Sequence, residues 1–229
     1  MSSKKIIVTG ASRGIGFELT KQLLVQGHQV MTLSRSTTDL DQLSTQYSNL
    51  KVIKCDLASG VDMTLAQIKL HFDQLDVLVN NAGTLINQSF IDTTDADWQD
   101  VINVNLMGPV RLIRALTPLM SRGTHVVNIS SMGGYQGSSK FPGLSAYSAS
   151  KGALSILTEC LSVEYAHLGV HFNALCLGAV QTEMLTEAFP GYQAPVQATD
   201  MARFIADFAL HRSMLFNGKI IPVAIHDPD

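Results

Sequence analysis

Lys5-Ile6-Ile7-Val8-Thr9 runs straight into Gly10-Ala11-Ser12-Arg13-Gly14-Ile15-Gly16, and the reading of this stretch decides the fold. The first five residues form an apolar, β-branched run of the kind found in a buried strand. Glycines at 10, 14 and 16 follow it and open a helix that continues to about Gln26 and closes at Gly27. The spacing is G-x-x-x-G-x-G rather than the commoner G-x-G-x-x-G, but the mechanics are shared. The first glycine permits the sharp turn, and the others let backbone and helix approach a pyrophosphate at the helix N-terminus. A strand, a glycine turn and a helix at the head of a chain predict a βαβ unit that binds a dinucleotide.

The same residues spell a rival. Gly10-Ala11-Ser12-Arg13-Gly14 satisfies G-x-S-x-G, the nucleophile elbow of α/β-hydrolases, which also sits on a strand-turn-helix. That fold draws its oxyanion hole from a loop after an earlier strand, and nothing here precedes the first one. The hydrolase alternative is therefore disfavoured. No G-K-[ST] is present, so a P-loop is excluded.

Outward from the glycine turn, strands and helices alternate. Strands are expected at His28 to Ser34, Lys51 to Lys54, Leu75 to Asn80, His125 to Ile129, Val170 to Leu175 and Lys219 to Ala224. Helices are expected at Leu40 to Tyr47, Val61 to Phe72, Asp95 to about Met120, Tyr147 to His167 and Thr199 to Leu210. Pro109 should kink the long helix or mark a close contact, and Pro222 places the last strand at a sheet edge. This alternation predicts an α/β fold: one doubly wound, Rossmann-type parallel sheet of about seven strands with helices on both faces. With no linker or repeat, residues 1–229 read as a single domain.

Composition bounds the partners. The 229 residues are 46% hydrophobic and 15% charged, with a formal net charge of −3. A near-neutral chain without a lysine/arginine block points away from nucleic acid and anionic membrane. No apolar run approaches the ~18 residues of a membrane span, and Met1 to Lys5 leave no room for a signal peptide before the first strand. A cytoplasmic protein is expected. Cys55, Cys160 and Cys176 lie far apart, as buried reduced thiols would, and the seven histidines show no metal-ligand spacing. No metal site is expected.

One more stretch carries chemistry. Tyr147 and Lys151 are four apart and share a helix face, near a helix N-terminus. A free phenol titrates near ~10. A neighbouring ammonium and the helix dipole would both pull that value down, making a proton donor that works near neutrality.

Taken together, the chain resembles the short-chain dehydrogenase/reductases over nearly its whole length. The motifs are Thr9 to Gly16, Asp56 after the third strand, Asn80-Asn81-Ala82-Gly83 after the fourth and Asn105 in Val104-Asn105-Leu106. They continue with Asn128-Ile129-Ser130-Ser131, Tyr147-x-x-x-Lys151, and Asn173 ahead of Gly178 to Thr182. The resemblance implies that Tyr147 exchanges a proton with a carbonyl or alcohol oxygen, and that Lys151 lowers its pKa and hydrogen-bonds the nicotinamide ribose. It implies that Ser131 holds the substrate oxygen and Asn105 keeps a water behind Lys151. For the cofactor it implies Gly10, Ser12, Arg13, Gly14, Ile15 and Gly16 in the turn, and Asp56 and Leu57 at the adenine. It further implies Asn81, Ala82 and Gly83 along the cleft, and Gly178, Val180 and Thr182 over the carboxamide or phosphates.

Which nicotinamide is read from charge. Where an acid at the end of the second strand would accept the 2′-hydroxyl of NAD, this chain has Ser34 and Arg35, with Arg13 nearby in the turn. Two guanidiniums and a hydroxyl suit a 2′-phosphate. Asp39 and Asp41 come too late to discriminate, so NADP(H) is expected.

The chain departs from the family at three places. Leu177-Gly178 replaces the usual Pro-Gly, so a different course is expected for the loop over the nicotinamide. The stretch between Ser131 and Tyr147 is long and carries Tyr135, Phe141 and Leu144. The end, His226 to Asp229, lacks the usual acid-Gly-Gly tail, which puts the tetramer contact in question. A short lid is expected at 183–196, with Met184, Leu185, Phe189 and Tyr192 walling a pocket for a small, moderately apolar carbonyl or alcohol. The helices at 98–120 and 147–165 carry few charges and are expected to pair in a homodimer, with a tetramer possible. Two alternatives stand beside the carbonyl reductase. One is an NADP-binding regulatory protein without turnover, and the other an enoyl reductase, disfavoured because that branch spaces its tyrosine and lysine more widely.

Overall fold

The computed structural model describes residues 2–59 and 61–225. The chain folds as β1 (Lys5–Thr9), α1 (Gly14–Val25), β2 (Gln29–Ser34), α2 (Thr38–Ser44), β3 (Leu50–Lys54), α3 (Asp62–His71) and β4 (Leu75–Asn80). It continues through α4 (Asp95–Ile102), α5 (Gly108–Leu116), β5 (Met120–Ser131), α6 (Ser145–Glu164) and β6 (His171–Leu177). The last elements are β7 (Val180–Gln181), α7 (Glu183–Ala188), β8 (Val196–Gln197), α8 (Ala198–His211) and β9 (Lys219–Val223). Seven strands form one sheet in the order β3-β2-β1-β4-β5-β6-β9, every pair parallel.

A parallel sheet covered on both faces needs strands that are apolar on both, and period-two alternation then divides the core in two. Ile6 and Val8 of β1 join Val77, Val79 and Val127 under α1 and α8. Ile7 between them points the other way, joining Leu78, Val126 and Phe172 under α3 and α5. Helix α1 buries Leu19, Leu23 and Leu24. It ends at Gly27, whose φ of +81° is a left-handed stop that favours glycine. On the α8 side, His125 is buried between the Ala209 carbonyl at its Nδ1 and the Asn173 amide at its Nε2, each 3.0 Å away. Burial holds that imidazole neutral, with its pKa lowered to about 4.

The expected helix from Asp95 to about Met120 is helical at every residue to Leu119, but its winding changes along the way. A capping box at Thr94 and Asp97 starts α4, and a π-helical turn then spans Asn103–Met107 before α5 begins. Pro109 directly follows that π-helical turn, so the change in winding falls where proline lacks the N–H of a regular helix. Pro118 ends the helix in a short 3-10 turn, Thr117–Leu119. β5 consequently starts at Met120, five residues before the expected His125, and its register shifts between Leu75 and Val77 of β4.

β6 also outruns expectation. Leu177 keeps the N–H that a proline would lack, so the ladder continues to Leu177, opposite Ser131 on one side and Val223 on the other. Pro222 falls on the outermost strand, β9, as its chemistry requires. The terminal residues 226–229, where the sequence departs from the family tail, lie outside the described residues. Among those described, no helix is long and apolar enough to cross a membrane, and no group of three or more His, Cys, Asp or Glu could hold a metal ion.

Candidate functional site

The strand order reverses between β1 and β4, and a cleft forms beyond the C-terminal ends of the strands at that point, as in other open α/β sheets. The cleft is a cavity of about 930 Å³ that runs from the glycine turn to α6.

Its floor is built by mutual fit of the glycine turn and the Asn81–Gly83 segment. The Thr9 hydroxyl accepts from the amides of Asn81 at 3.0 Å and Ala82 at 2.9 Å. The Asn81 amide group donates back to the Thr9 and Gly10 carbonyls, both at 3.1 Å. Gly10 has φ +63°, and a Cβ there would lie 2.6 Å from the Ala82 Cα. Gly16 does not face the cavity. A Cβ on it would strike the Gly10 carbonyl and come within 2.5 Å of the Asn81 amide nitrogen, so this glycine lets α1 close on the turn. Gly10, Ser12, Arg13, Gly14 and Ile15 do line the cavity.

At the far side of the turn, the Ser34 side-chain oxygen accepts from the Ala11 amide at 2.8 Å. Its own hydroxyl proton remains available, and Ser34 and Arg35 both line the cavity, as do Asp56 and Leu57. Ser36 and Asp39 line it too. The sequence placed Asp39 too far along the chain to matter, but the first turn of α2 folds it back to the cleft. Gly178, Val180 and Thr182 form part of the opposite wall. The Gly178 amide donates to the Val223 carbonyl at 2.9 Å, and a Cβ on Gly178 would come within 2.8 Å of that of Ala224.

The expected catalytic group converges from three elements. Ser131 ends β5, its oxygen accepting from the Gly133 amide at 3.1 Å. Tyr147 and Lys151 lie in the first two turns of α6, and all three line the cavity. Asn105 sits on the π-helical turn, fully buried behind them. Its amide nitrogen donates to the Thr84 carbonyl at 2.9 Å and the Ser150 hydroxyl at 3.0 Å, while its oxygen accepts from the Thr84 amide at 2.8 Å. π-helical turns recur at functional sites, and this one holds Asn105 against Ser150, which the sequence did not single out. Gly83 keeps the approach open, since a Cβ there would lie 3.4 Å from the Lys151 ammonium and 3.5 Å from the Asn105 oxygen.

The electrostatics differ from the sequence expectation. The Lys151 ammonium donates to the Ile129 carbonyl at 2.8 Å and stands 5.8 Å from the centre of the Tyr147 ring. Burial lowers the Lys151 pKa to about 8. Burial also raises the Tyr147 phenol, with the Ser131 hydroxyl opposing in part. The expected depression of the phenol is therefore absent here, because desolvation dominates and the ammonium is engaged by the Ile129 carbonyl.

Beyond Tyr147 the walls turn apolar. Phe141, Leu144, Met184, Leu185, Phe189 and Tyr192 line this end, as expected, whereas Tyr135 does not. Met201, Val223 and Ile225 add to it, brought in by α8, the end of β9 and the chain just after it, which no local motif announces. Of the cysteines, Cys55 and Cys176 are buried and Cys160 is exposed on α6, contrary to expectation.

Such a cleft, lined by a glycine turn, an asparagine segment and a tyrosine–lysine pair, marks a Rossmann-type dinucleotide-binding fold. The family model for short chain dehydrogenase matches residues 4–193. The chain belongs to the short-chain dehydrogenase/reductase family, as an oxidoreductase with a nucleotide-binding Rossmann-type domain. It is 30% identical over 241 residues to a 3-oxoacyl-[acyl-carrier-protein] reductase of Staphylococcus aureus, covering 96% of both chains. Its backbone follows that of ElxO, solved with NADP bound, with a TM-score of 0.83, 26% identity and 97% and 98% of the two chains covered. A 4-hydroxyisoleucine dehydrogenase mutant complexed with NADH and succinate shares the fold at a TM-score of 0.87, with 24% identity and 96% and 97% coverage.

Proposed function

We propose that the chain is an NADP(H)-dependent reductase or dehydrogenase that interconverts a carbonyl and an alcohol on a small, moderately apolar substrate. The observation that carries this is the convergence of Asn105, Ser131, Tyr147 and Lys151 at the end of a cleft that fits a dinucleotide. The fit is physical. The turn is closed by glycines at 10 and 16, where any added Cβ would clash, and the cavity continues past Ser34 and Arg35 to Asp56 and Leu57. A nicotinamide bound there supplies the hydride, a chemistry no side chain offers. Gly10 to Gly16, Asn81 to Gly83, Gly178, Val180 and Thr182 would hold it, with Lys151 and Tyr147 against its ribose.

The protein's own task is one proton and one orientation. Ser131 holds the substrate oxygen by its hydroxyl. Tyr147 keeps a proton at its phenol oxygen, in a half-buried site where the neutral form is favoured, and gives it to the forming alkoxide. Lys151 keeps positive charge beside that oxygen as the proton leaves. Asn105, locked by Thr84 and Ser150, fixes the back of the pair. Residues 183–196 act as a lid over an apolar pocket, hinged where β7 and β8 pair at Val180 with Val196. A complete set of these groups disfavours a regulator without turnover.

Arg13 and Arg35 support NADP(H). Replacing both by alanine should raise the Michaelis constant for NADPH by about 10²-fold while changing that for NADH about twofold at most. Equal loss for both cofactors would refute the assignment. Asp39→Ala in the same assay reports how far that acid opposes a 2′-phosphate.

We also propose a homodimer through the helices at 98–120 and 147–165. Ile156 and Val163 of α6 are 61% and 76% exposed in the single chain, an apolar exposure that a second copy would cover. A sedimentation mass of one chain would remove this proposal.

A further inference from the structure

The mouth of the cleft carries a contact that the proposed reaction does not use. Arg13 of the glycine turn meets Glu187 of α7 in a two-pronged pair, Nη1 to Oε1 at 2.5 Å and Nη2 to Oε2 at 3.1 Å. Glu183, one turn earlier on the same helix, leans on the same place: a Cβ on Gly14 would lie 3.4 Å from its Oε2. Both carboxylates reinforce the charge on the Arg13 guanidinium. A second tie pins the end of the helix, where the Asn87 amide donates to the Ala188 carbonyl at 2.8 Å. Arg13, Arg35 and Glu187 together border a compartment of about 250 Å³ beside the main cavity.

The geometry points to Glu187 as an internal competitor for the 2′-phosphate of the cofactor. Its carboxylate occupies Arg13, and an arriving phosphate displaces it and frees α7 from the glycine turn. This rests on the NADP(H) reading of the same site. Carboxylate and phosphate oxygens bind the same planar fork of a guanidinium, so Arg13 cannot serve both in full. The phosphate carries the greater charge, near −2. The Arg13 and Glu187 side chains are 49% and 62% exposed, and a half-exposed ion pair is weak. The latch is thus light enough to be displaced, yet placed where its release couples cofactor occupancy to lid movement. An unphosphorylated 2′-hydroxyl brings no anion to Arg13, so NADH leaves the latch closed.

The test uses adenosine 2′,5′-bisphosphate, NADPH and NADH as probes of binding to the full chain, by calorimetry. Glu187→Gln should tighten the bisphosphate and NADPH by about two- to fivefold, the worth of an exposed pair, and leave NADH unchanged. In an Arg13→Ala background the same substitution should have no effect. Hydrogen exchange of residues 183–196 should rise when wild-type protein binds the bisphosphate, and should not rise with NADH. Unchanged bisphosphate affinity in Glu187→Gln, or equal tightening of NADH, overturns the latch while leaving the cofactor assignment intact. Wild-type protein that ignores the bisphosphate and binds NADH as well as NADPH overturns the cofactor assignment, and the latch with it.

Discussion

Tyr147→Phe is expected to lower turnover by about 10³-fold, the range a positioned proton donor supplies. The substitution removes one oxygen and leaves the ring that packs beside Ser131 and Lys151. NADPH affinity should therefore stay within about twofold of wild type, since general acid catalysis and cofactor retention are separate interactions. Because burial raises the phenol, Tyr147 remains protonated through neutral pH, the state that a reduction consumes. Stopped-flow measurement of NADPH consumption, with equilibrium titration of the cofactor, separates the two effects. Undiminished turnover would reject the proton-transfer role.

Lys151→Met should have the second-largest effect, about 10²-fold on turnover, together with weaker cofactor binding. Methionine roughly conserves the buried stem and removes only the charge. Lys151 is 3% exposed, and its pKa falls to about 8 from the ordinary 10.5. In the free enzyme, kcat/KM for reduction should decline above about pH 8 as the ammonium is lost, and Lys151→Met should lack that decline. Stability runs in the other direction. Between the folded value near 8 and the ordinary 10.5 the unfolded chain binds more protons, so wild-type stability should rise with pH across that window. Below it the buried ammonium carries its desolvation cost in full. At neutral pH Lys151→Met should thus melt no lower than wild type, while losing most of its activity. A variant both inactive and unfolded would point to a structural lysine.

Much of this was legible in the sequence because the chemistry is local. Gly10 to Gly16 must turn sharply after a strand, and Tyr147 and Lys151 must share a helix face whatever surrounds them. What the sequence hid is set by tertiary placement. Asp39 reaches the cleft only because α2 folds back on β2. Ser150 matters only because the π-helical turn at 103–107 brings Asn105 against it, and that turn has no propensity signature. Glu187 meets Arg13 across 174 residues of chain. The sign of the Tyr147 shift went wrong for a related reason. Spacing shows that an ammonium is near, but not that it is bound to the Ile129 carbonyl, nor how far the phenol is desolvated.

The central claim is that a half-buried phenol beside an ammonium passes a proton to a carbonyl oxygen next to a bound nicotinamide. Single-turnover oxidation of NADPH by wild-type protein, mixed with a panel of small apolar ketones, aldehydes and 3-oxoacyl thioesters, tests it most directly. The account predicts stoichiometric consumption with at least one of them, faster with NADPH than with NADH, and its loss in Tyr147→Phe. Consumption that persists in Tyr147→Phe, or tight cofactor binding with no consumption across the whole panel, would contradict it.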